Sequence, residues 1–184
     1  MAADSIEKSF IADAQAAYQA GDFNKAAQDF SKAAESYSQN GDELSAAEMR
    51  NNQSVALMRV GDAAAALKAC AETDQVFLKA GDTRRQAIAL GNQAAALEGT
   101  GKWKIAIEKY EQSAELLEKI GDKALLSTAL QSLSALQLKH NRQFDAMATM
   151  HSSLSAKPRL TALESFLRRL IRFVFSLLNR APGG

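Results

Sequence analysis

Glycine recurs every twenty residues through most of the chain. Six of the ten glycines form this series, Asn141 occupies its next position, and Asp follows five of the six. The members are Gly21, Gly41, Gly61, Gly81, Gly101 and Gly121. Glycine ends a helix by adopting a positive φ, and an aspartate directly after it caps the next helix through its side-chain oxygen. The series therefore predicts helices of about three to five turns, joined by tight turns, so that neighbouring helices pack antiparallel.

The composition agrees with an all-α fold. Hydrophobic residues make up 47% of the 184 residues; alanine is the commonest of them, and the β-branched residues that favour strands are scarce. Neither proline, at 158 and 182, interrupts the segments between the glycines. The predicted helices span residues 5–20, 24–39, 44–60, 63–79, 84–100, 104–120, 123–140 and 145–155. A period held over seven turns favours stacked hairpins over an ordinary helical bundle.

The residues after alternate turns resemble the tetratricopeptide repeat (TPR). In that family a Gly-Asp-aromatic turn ends helix A, and helix B carries Ala, aromatic and Ala at spacings of four and three. The first repeat matches well, with Gly21, Phe23, Ala26, Phe30 and Ala33. The third matches with Gly101, Trp103, Ala106 and Tyr110, whereas the second and fourth are weaker. The resemblance covers about residues 5–155, or four repeats.

A forty-residue repeat is longer than the usual TPR. It is similar to the long repeats of kinesin light chain and of the G-protein-regulator scaffolds. The soluble attachment proteins of vesicle fusion also have long helical hairpins, but this chain does not reach their length. The resemblance implies a right-handed superhelical array of about four antiparallel hairpins, and the residues after the array predict a C-terminal amphipathic helix, as argued below. It also implies a non-catalytic scaffold that binds a peptide or helix of another protein in the concave groove lined by the A helices.

The predicted groove residues come from the A helices. They are Gln15, Asn51, Asn52, Arg59, Asn92, Thr128 and Lys139. Asn52 and Asn92 lie forty residues apart and are therefore equivalent, and an amide can both donate to and accept from a peptide backbone. Family members that hold a chaperone's C-terminal carboxylate use a clamp of Lys, Asn and Arg, whose cations are missing here. We therefore expect a neutral or mixed peptide.

No residues suited to catalysis or to cofactor binding stand out. Cys70 is the single cysteine, so a disulfide within the chain and a zinc cluster are excluded. The two histidines, His140 and His151, are not spaced with Cys, Asp or Glu as a metal site requires. The net charge of +1 argues against a generally basic nucleic-acid binder. We therefore predict no enzyme activity, no cofactor, no metal and no nucleic-acid partner, with Cys70 buried in the core.

The composition changes after residue 156, which divides the chain into a repeat domain, 1–156, and a basic tail, 157–184. Residues 157–180 hold six cations against Glu164, a net charge of +5, so the rest carries −4. On a helical wheel the apolar residues cover roughly half the circumference, and arginines gather opposite. The predicted contact residues of this amphipathic helix are Phe166, Arg168, Arg169, Arg172, Phe173 and Phe175, and a short disordered tail should follow.

Three interpretations of the tail stay open. The helix could cap the last repeat. It could lie in an anionic membrane surface, in which case the protein is a peripheral membrane adaptor. It could also form a coiled-coil seam with another copy or a partner, through Leu160, Leu163, Leu167, Leu170, Val174 and Leu177. The first residues contain charges that rule out a secretory signal, and no apolar run is long enough to span a bilayer. The expected location is cytoplasmic, peripheral to a membrane if the second interpretation holds.

Overall fold

The computed structural model describes residues 2–178 of the chain, with side chains for residues 9–177. Only helices, joined by turns, occur in this part of the chain. In order they are α1 (Ala2–Gln19), α2 (Phe23–Gln39), α3 (Glu43–Val60), α4 (Ala63–Cys70), α5 (Thr73–Lys79), α6 (Thr83–Gly99), α7 (Trp103–Ile120), α8 (Lys123–Lys139), α9 (Gln143–Ala156) and α10 (Ala162–Leu178). The all-α prediction of TPR-like helical hairpins is confirmed.

The turns have the predicted chemistry. All six glycines of the series have φ between 72° and 93°, and Asn141, at the next position, has φ of 58°. In the first turn, the backbone N–H of Asp22 donates to the carbonyl of Ala17 at 2.9 Å, while its side chain accepts from the N–H of Lys25 at 3.0 Å. The other four Gly-Asp turns repeat this cap through Asp42, Asp62, Asp82 and Asp122. Each turn thus ends one helix and begins the next within two residues.

The chain divides into two compact units, Met1–Lys109 and Tyr110–Gly184, with the boundary inside α7. In the first unit α2 packs against α1 and α3, and α6 packs against α3, α4 and α5. In the second unit α8 packs against α9, and α10 lies against α9. The boundary predicted at residues 156–157 coincides with the turn between α9 and α10, inside the second unit.

Small residues lie where helices come closest. The alanines that stand five residues after four of the glycines and after Asn141 are almost completely buried: Ala26, Ala46, Ala66, Ala106 and Ala146. Gly99 permits a still closer approach, because a Cβ there would lie 2.5 Å from the Cβ of Ala63. The absence of a side chain at Gly99 therefore lets the end of α6 touch the start of α4.

The helix predicted over residues 63–79 is broken into α4 and α5 at residues 71–72. The side-chain amide of Gln93, on α6, donates to the carbonyl of Cys70 at 2.8 Å and to that of Ala71 at 3.2 Å. The hydroxyl of Thr73 shares its one proton between the carbonyl of Cys70, at 3.0 Å, and the Oδ1 of Asn51, at 2.8 Å. These side chains stabilise the carbonyls that the break leaves without helical partners.

Candidate partner-binding surfaces

A small cavity lies on the α1 side of α3, where two of the predicted groove residues meet. Its volume is about 300 Å³, and it is lined by Gln15, Tyr18, Gln19, Phe30, Asn52 and Val55. The two glutamines lie one turn apart on α1, and Asn52 and Val55 share a face of α3. The cavity thus combines aromatic and aliphatic walls with three amides. Such a site accepts an apolar side chain while the amides pair with the backbone on either side of it.

Asn51 does not belong to this surface, contrary to the sequence prediction. It is only 5% exposed, and its Oδ1 accepts a hydrogen bond from the hydroxyl of Thr73 at 2.8 Å. The backbone carbonyl of Asn51 accepts from the hydroxyl of Ser54. A buried amide with these partners holds α3 to α5 and cannot reach a peptide in the groove.

The remaining predicted groove residues are not brought to the cavity. Asn92 is half-buried on α6, outside the cavity lining. Arg59 is exposed, and its guanidinium carbon lies 4.9 Å from the centre of the Phe23 ring, a cation–π contact that holds it at the end of α3. Thr128 and Lys139 are exposed on α8, in the second unit, where the hydroxyl of Thr128 donates to the carbonyl of Ala124.

A buried polar cluster on α5 and α6 was not predicted from the sequence. Asp74 is 4% exposed, and its Oδ1 accepts from the amide of Gln93 at 2.7 Å. Its Oδ2 accepts from Gln75 at 2.9 Å and lies 3.6 Å from the Lys109 ammonium. Burial alone would raise the pKa of Asp74, but these partners together hold that pKa below its usual value. The cluster therefore contains a carboxylate that stays charged in the interior and serves the fold.

Cys70 is fully buried, as predicted, and burial raises the pKa of its thiol. Among the side chains that the structure describes, no group of three His, Cys, Asp or Glu residues could hold a metal ion. None of the helices described is long and apolar enough to cross a membrane.

The last helix, α10, begins with a capping box that the sequence analysis missed. The Thr161 hydroxyl accepts from the N–H of Glu164 at 3.2 Å, and the Glu164 carboxylate accepts from the N–H of Thr161 at 2.9 Å. The same carboxylate lies 2.6 Å from the Lys157 ammonium. The hydrogen bonds from Lys157 and Thr161 lower the pKa of Glu164 to about 2. The sequence signal for this cap is Thr-x-x-Glu, which begins three residues after Pro158.

The apolar arc predicted for α10 is divided along its length, with one side buried and the other exposed. Ile171 is 5% exposed, and with Leu167 and Val174 it lines an apolar cavity of about 350 Å³ against α8 and α9. The other side carries a line of exposed residues, here called the outer row: Leu163, Phe166, Leu170, Phe173 and Leu177. The six residues of the predicted coiled-coil seam therefore do not form one exposed surface. Leu167 and Val174 line the cavity against the repeats, whereas Leu163 and Leu177 are exposed.

The predicted contact residues of α10 divide in the same way. Arg169, Arg172 and the two phenylalanines of the outer row are exposed. Arg168 is half-buried, with a buried Nε that has no hydrogen-bond partner among the described residues, and Phe175 is half-buried. Arg168 and Phe175 are therefore poorly placed to meet a partner. The predicted disordered tail, with Arg180, lies outside the described residues.

Helical hairpins of this kind define a TPR-like helical-repeat protein, a class that works by holding other proteins. A sequence model of the family described as soluble NSF attachment protein, SNAP, matches residues 4–158. The chain therefore belongs to the SNAP family, a family of helical protein-interaction adaptors. No curated protein matches the chain.

The family match confirms the predicted TPR-like repeats and does not support the finer comparison with kinesin light chain. The expectation that the chain is too short to resemble the soluble attachment proteins is corrected, because the match runs over all four predicted hairpins. The match ends at residue 158, so α10 lies beyond it.

Proposed function

We propose that the chain is a non-catalytic adaptor that holds a segment of a partner protein in the groove lined by its A helices, with the α1–α3 cavity as the main contact. The cavity lined by Gln15, Tyr18, Phe30, Asn52 and Val55 is the observation that carries this proposal. It combines apolar walls with amides in a family of interaction adaptors.

The cavity's chemistry indicates what the segment looks like. Tyr18, Phe30 and Val55 offer apolar walls, so one apolar side chain of the segment enters between them. Gln15 and Asn52 then pair with the backbone amides beside that side chain. No charged side chain lines the cavity, which favours a neutral or mixed segment over an acidic tail.

The family name supplies one partner to test. It describes attachment of NSF, and we propose NSF as the first protein to test against this chain. A binding assay with purified NSF tests this part of the proposal directly. If NSF does not bind, the cavity proposal still stands on its own experiment, which needs no named partner.

The experiment that tests the cavity uses a displayed library of random peptides. Peptides that bind the wild-type chain are selected, and their affinities for variants of the chain are then measured. Val55→Trp fills the cavity, and Asn52→Ala removes one amide. We expect Val55→Trp to weaken binding at least tenfold, because it excludes the anchoring side chain. Gln28→Ala, at an exposed glutamine on α2, is the matched control and should leave the affinities unchanged. Peptides that bind wild type and Val55→Trp equally would rule out this cavity.

A second candidate function is a cytoplasmic adaptor peripheral to a membrane, with the repeats recruiting a partner. The outer row of α10 favours it, because five large apolar side chains are exposed along one helix. The two candidates use residues in different units, so one protein could perform both.

A further inference from the structure

We infer that α10 lies in the headgroup region of an anionic membrane, with the outer row facing the acyl chains. The inference rests on the second candidate function and names its contact surface. It concerns a helix that lies beyond the residues matched by the family model.

The outer row is continuous and uncovered in the structure. Its exposed fractions are 75% at Leu163, 63% at Phe166, 45% at Leu170, 58% at Phe173 and 50% at Leu177. The spacing alternates between three and four residues, which places all five side chains in one stripe along the helix. A stripe of leucines and phenylalanines on a helix surface is typical of helices that lie in a membrane interface.

The exposed charges of α10 determine which kind of membrane the outer row suits. Arg169 and Arg172 are exposed on α10. The only acidic residue of the helix is Glu164, and its carboxylate is paired with Lys157. The exposed charge of the helix is therefore positive and would attract anionic headgroups.

The same charges argue against a second copy as the occupant of the row. Two α10 helices packed along their outer rows would bring the Arg169 side chains of both copies beside one seam, without acidic residues to balance them. The other flank of the row, at Leu167 and Val174, is already packed against the repeats. An anionic membrane meets neither obstacle, since it supplies the opposite charge.

The helix is already formed and held before it meets a membrane. The Thr161–Glu164 capping box fixes its first turn, and Ile171 is buried on its inner side. Binding therefore does not have to include the cost of folding the helix, a cost that weakens the membrane affinity of most disordered amphipathic segments. Variants of the exposed row should likewise leave the fold intact, because those side chains contribute little to the core.

The test is vesicle flotation of the full chain with phosphatidylcholine vesicles, with and without about 30% phosphatidylserine. We expect binding to the anionic vesicles that weakens as salt rises. Phe166→Ala with Phe173→Ala should lower the partition coefficient at least tenfold. Arg169→Gln and Arg172→Gln should each lower it about fivefold at low salt. The matched controls, Leu78→Ala with Ile105→Ala and Lys102→Gln with Lys104→Gln, change exposed residues of the first unit and should have no effect.

Two further measurements make the result decisive. Thermal melting by circular dichroism shows that each variant keeps the wild-type fold. Phe173→Trp, in a Trp103→Phe background, should show a blue-shifted emission with anionic vesicles, because the new side chain enters an apolar layer.

The outcomes separate the inference from the candidate function on which it rests. Vesicle binding that survives loss of both phenylalanines would overturn the inference and leave a peripheral membrane adaptor that binds elsewhere. No vesicle binding by the wild-type chain would overturn both. A dimer in light scattering that dissociates in the Phe166→Ala, Phe173→Ala variant, without vesicle binding, would show that a second copy covers the row and would also overturn the inference.

Discussion

Replacing Gln93 by leucine tests the argument that one buried amide stabilises the broken second hairpin. Gln93 is 2% exposed, and its Nε2 donates to the carbonyl of Cys70 and to the carboxylate of Asp74. Leucine has nearly the same volume, so the substitution leaves the packing almost unchanged. What it removes are the hydrogen bonds from this amide to the Asp74 carboxylate and to the carbonyls of Cys70 and Ala71.

The expected loss of stability in Gln93→Leu depends on which hydrogen-bond partners Cys70 and Asp74 keep. A hydrogen bond to a buried charged group contributes about 1.5–3 kcal/mol. The carbonyl of Cys70 keeps its hydrogen bond from Thr73, and Asp74 keeps those from Gln75 and its ion pair with Lys109. Cys70 and Asp74 therefore keep a partner, and the further loss is the longer hydrogen bond of 3.2 Å to the carbonyl of Ala71. We expect Gln93→Leu to lower the free energy of unfolding by about 2–3 kcal/mol, below the cost of about 3–5 kcal/mol for breaking a fully buried ion pair.

Urea unfolding at pH 7, followed by the fluorescence of Trp103 in the same unit, measures this loss. Gln112→Leu makes the same chemical change at an exposed position of α7 and should stay within about 0.5 kcal/mol of wild type. A loss below about 1 kcal/mol for Gln93→Leu would refute the argument, because so small a loss is that of an ordinary surface hydrogen bond.

The pH dependence of the same variant gives a second measurement. The folded-state pKa of Asp74 lies below its unfolded value, so its contribution to stability is present above the unfolded pKa and is lost as pH falls through the folded pKa. Removing the Gln93 donor raises that folded-state pKa. The deficit of Gln93→Leu relative to wild type should therefore shrink as pH falls below about 4. A deficit that stays constant between neutral and acid pH would show that the carboxylate is not its source.

Three further predictions concern the turns, the closest helix contact and the start of α10. Gly61→Ala should cost about 1–2 kcal/mol in urea unfolding, since φ at this residue is 93° and alanine avoids that region; no loss would contradict the role of the turn. Gly99→Ala should cost about 1–3 kcal/mol, because its Cβ meets that of Ala63, and Ala63→Gly should recover part of the loss in the double variant. With a folded-state pKa of about 2, Glu164 should stabilise α10 fully above pH 5 and lose that contribution as pH falls through 2; Glu164→Gln should abolish this dependence of the helical circular dichroism signal.

The turns could be predicted because their chemistry is local. A glycine at positive φ and an aspartate that caps the next N–H groups are determined within about four residues, without help from the rest of the fold. Asn141 could be predicted for the same reason, since it is the non-glycine residue that adopts this region at least cost. The helix boundaries therefore agree with the structure to within a few residues wherever a turn of this kind occurs.

The orientation of the polar side chains could not be predicted in the same way. Asn51 and Asn52 are adjacent and chemically identical, yet Asn51 is buried and Asn52 lines the cavity. The difference is decided by Thr73, which lies 22 residues away and offers Asn51 a buried hydrogen-bond partner. The break between α4 and α5 depends on Gln93 in the same manner. A repeat pattern assigns residues to a helix face only approximately. Which of two adjacent residues is buried depends on the side chain that it meets on the neighbouring helix.

The width of the apolar arc on α10 indicates more than one contact surface. Each of the three interpretations of the tail assigned this arc to one surface only. An apolar arc of roughly half the helix is wider than the stripe one neighbouring element covers. A helix with so wide an arc must either meet two neighbours or leave one side exposed. In the structure Ile171 packs against the repeats, which are the first neighbour. The outer row stays exposed and can contact a second neighbour. Because Arg169 and Arg172 are exposed on this helix and its one carboxylate is already paired, an anionic surface fits the second position better than another basic helix.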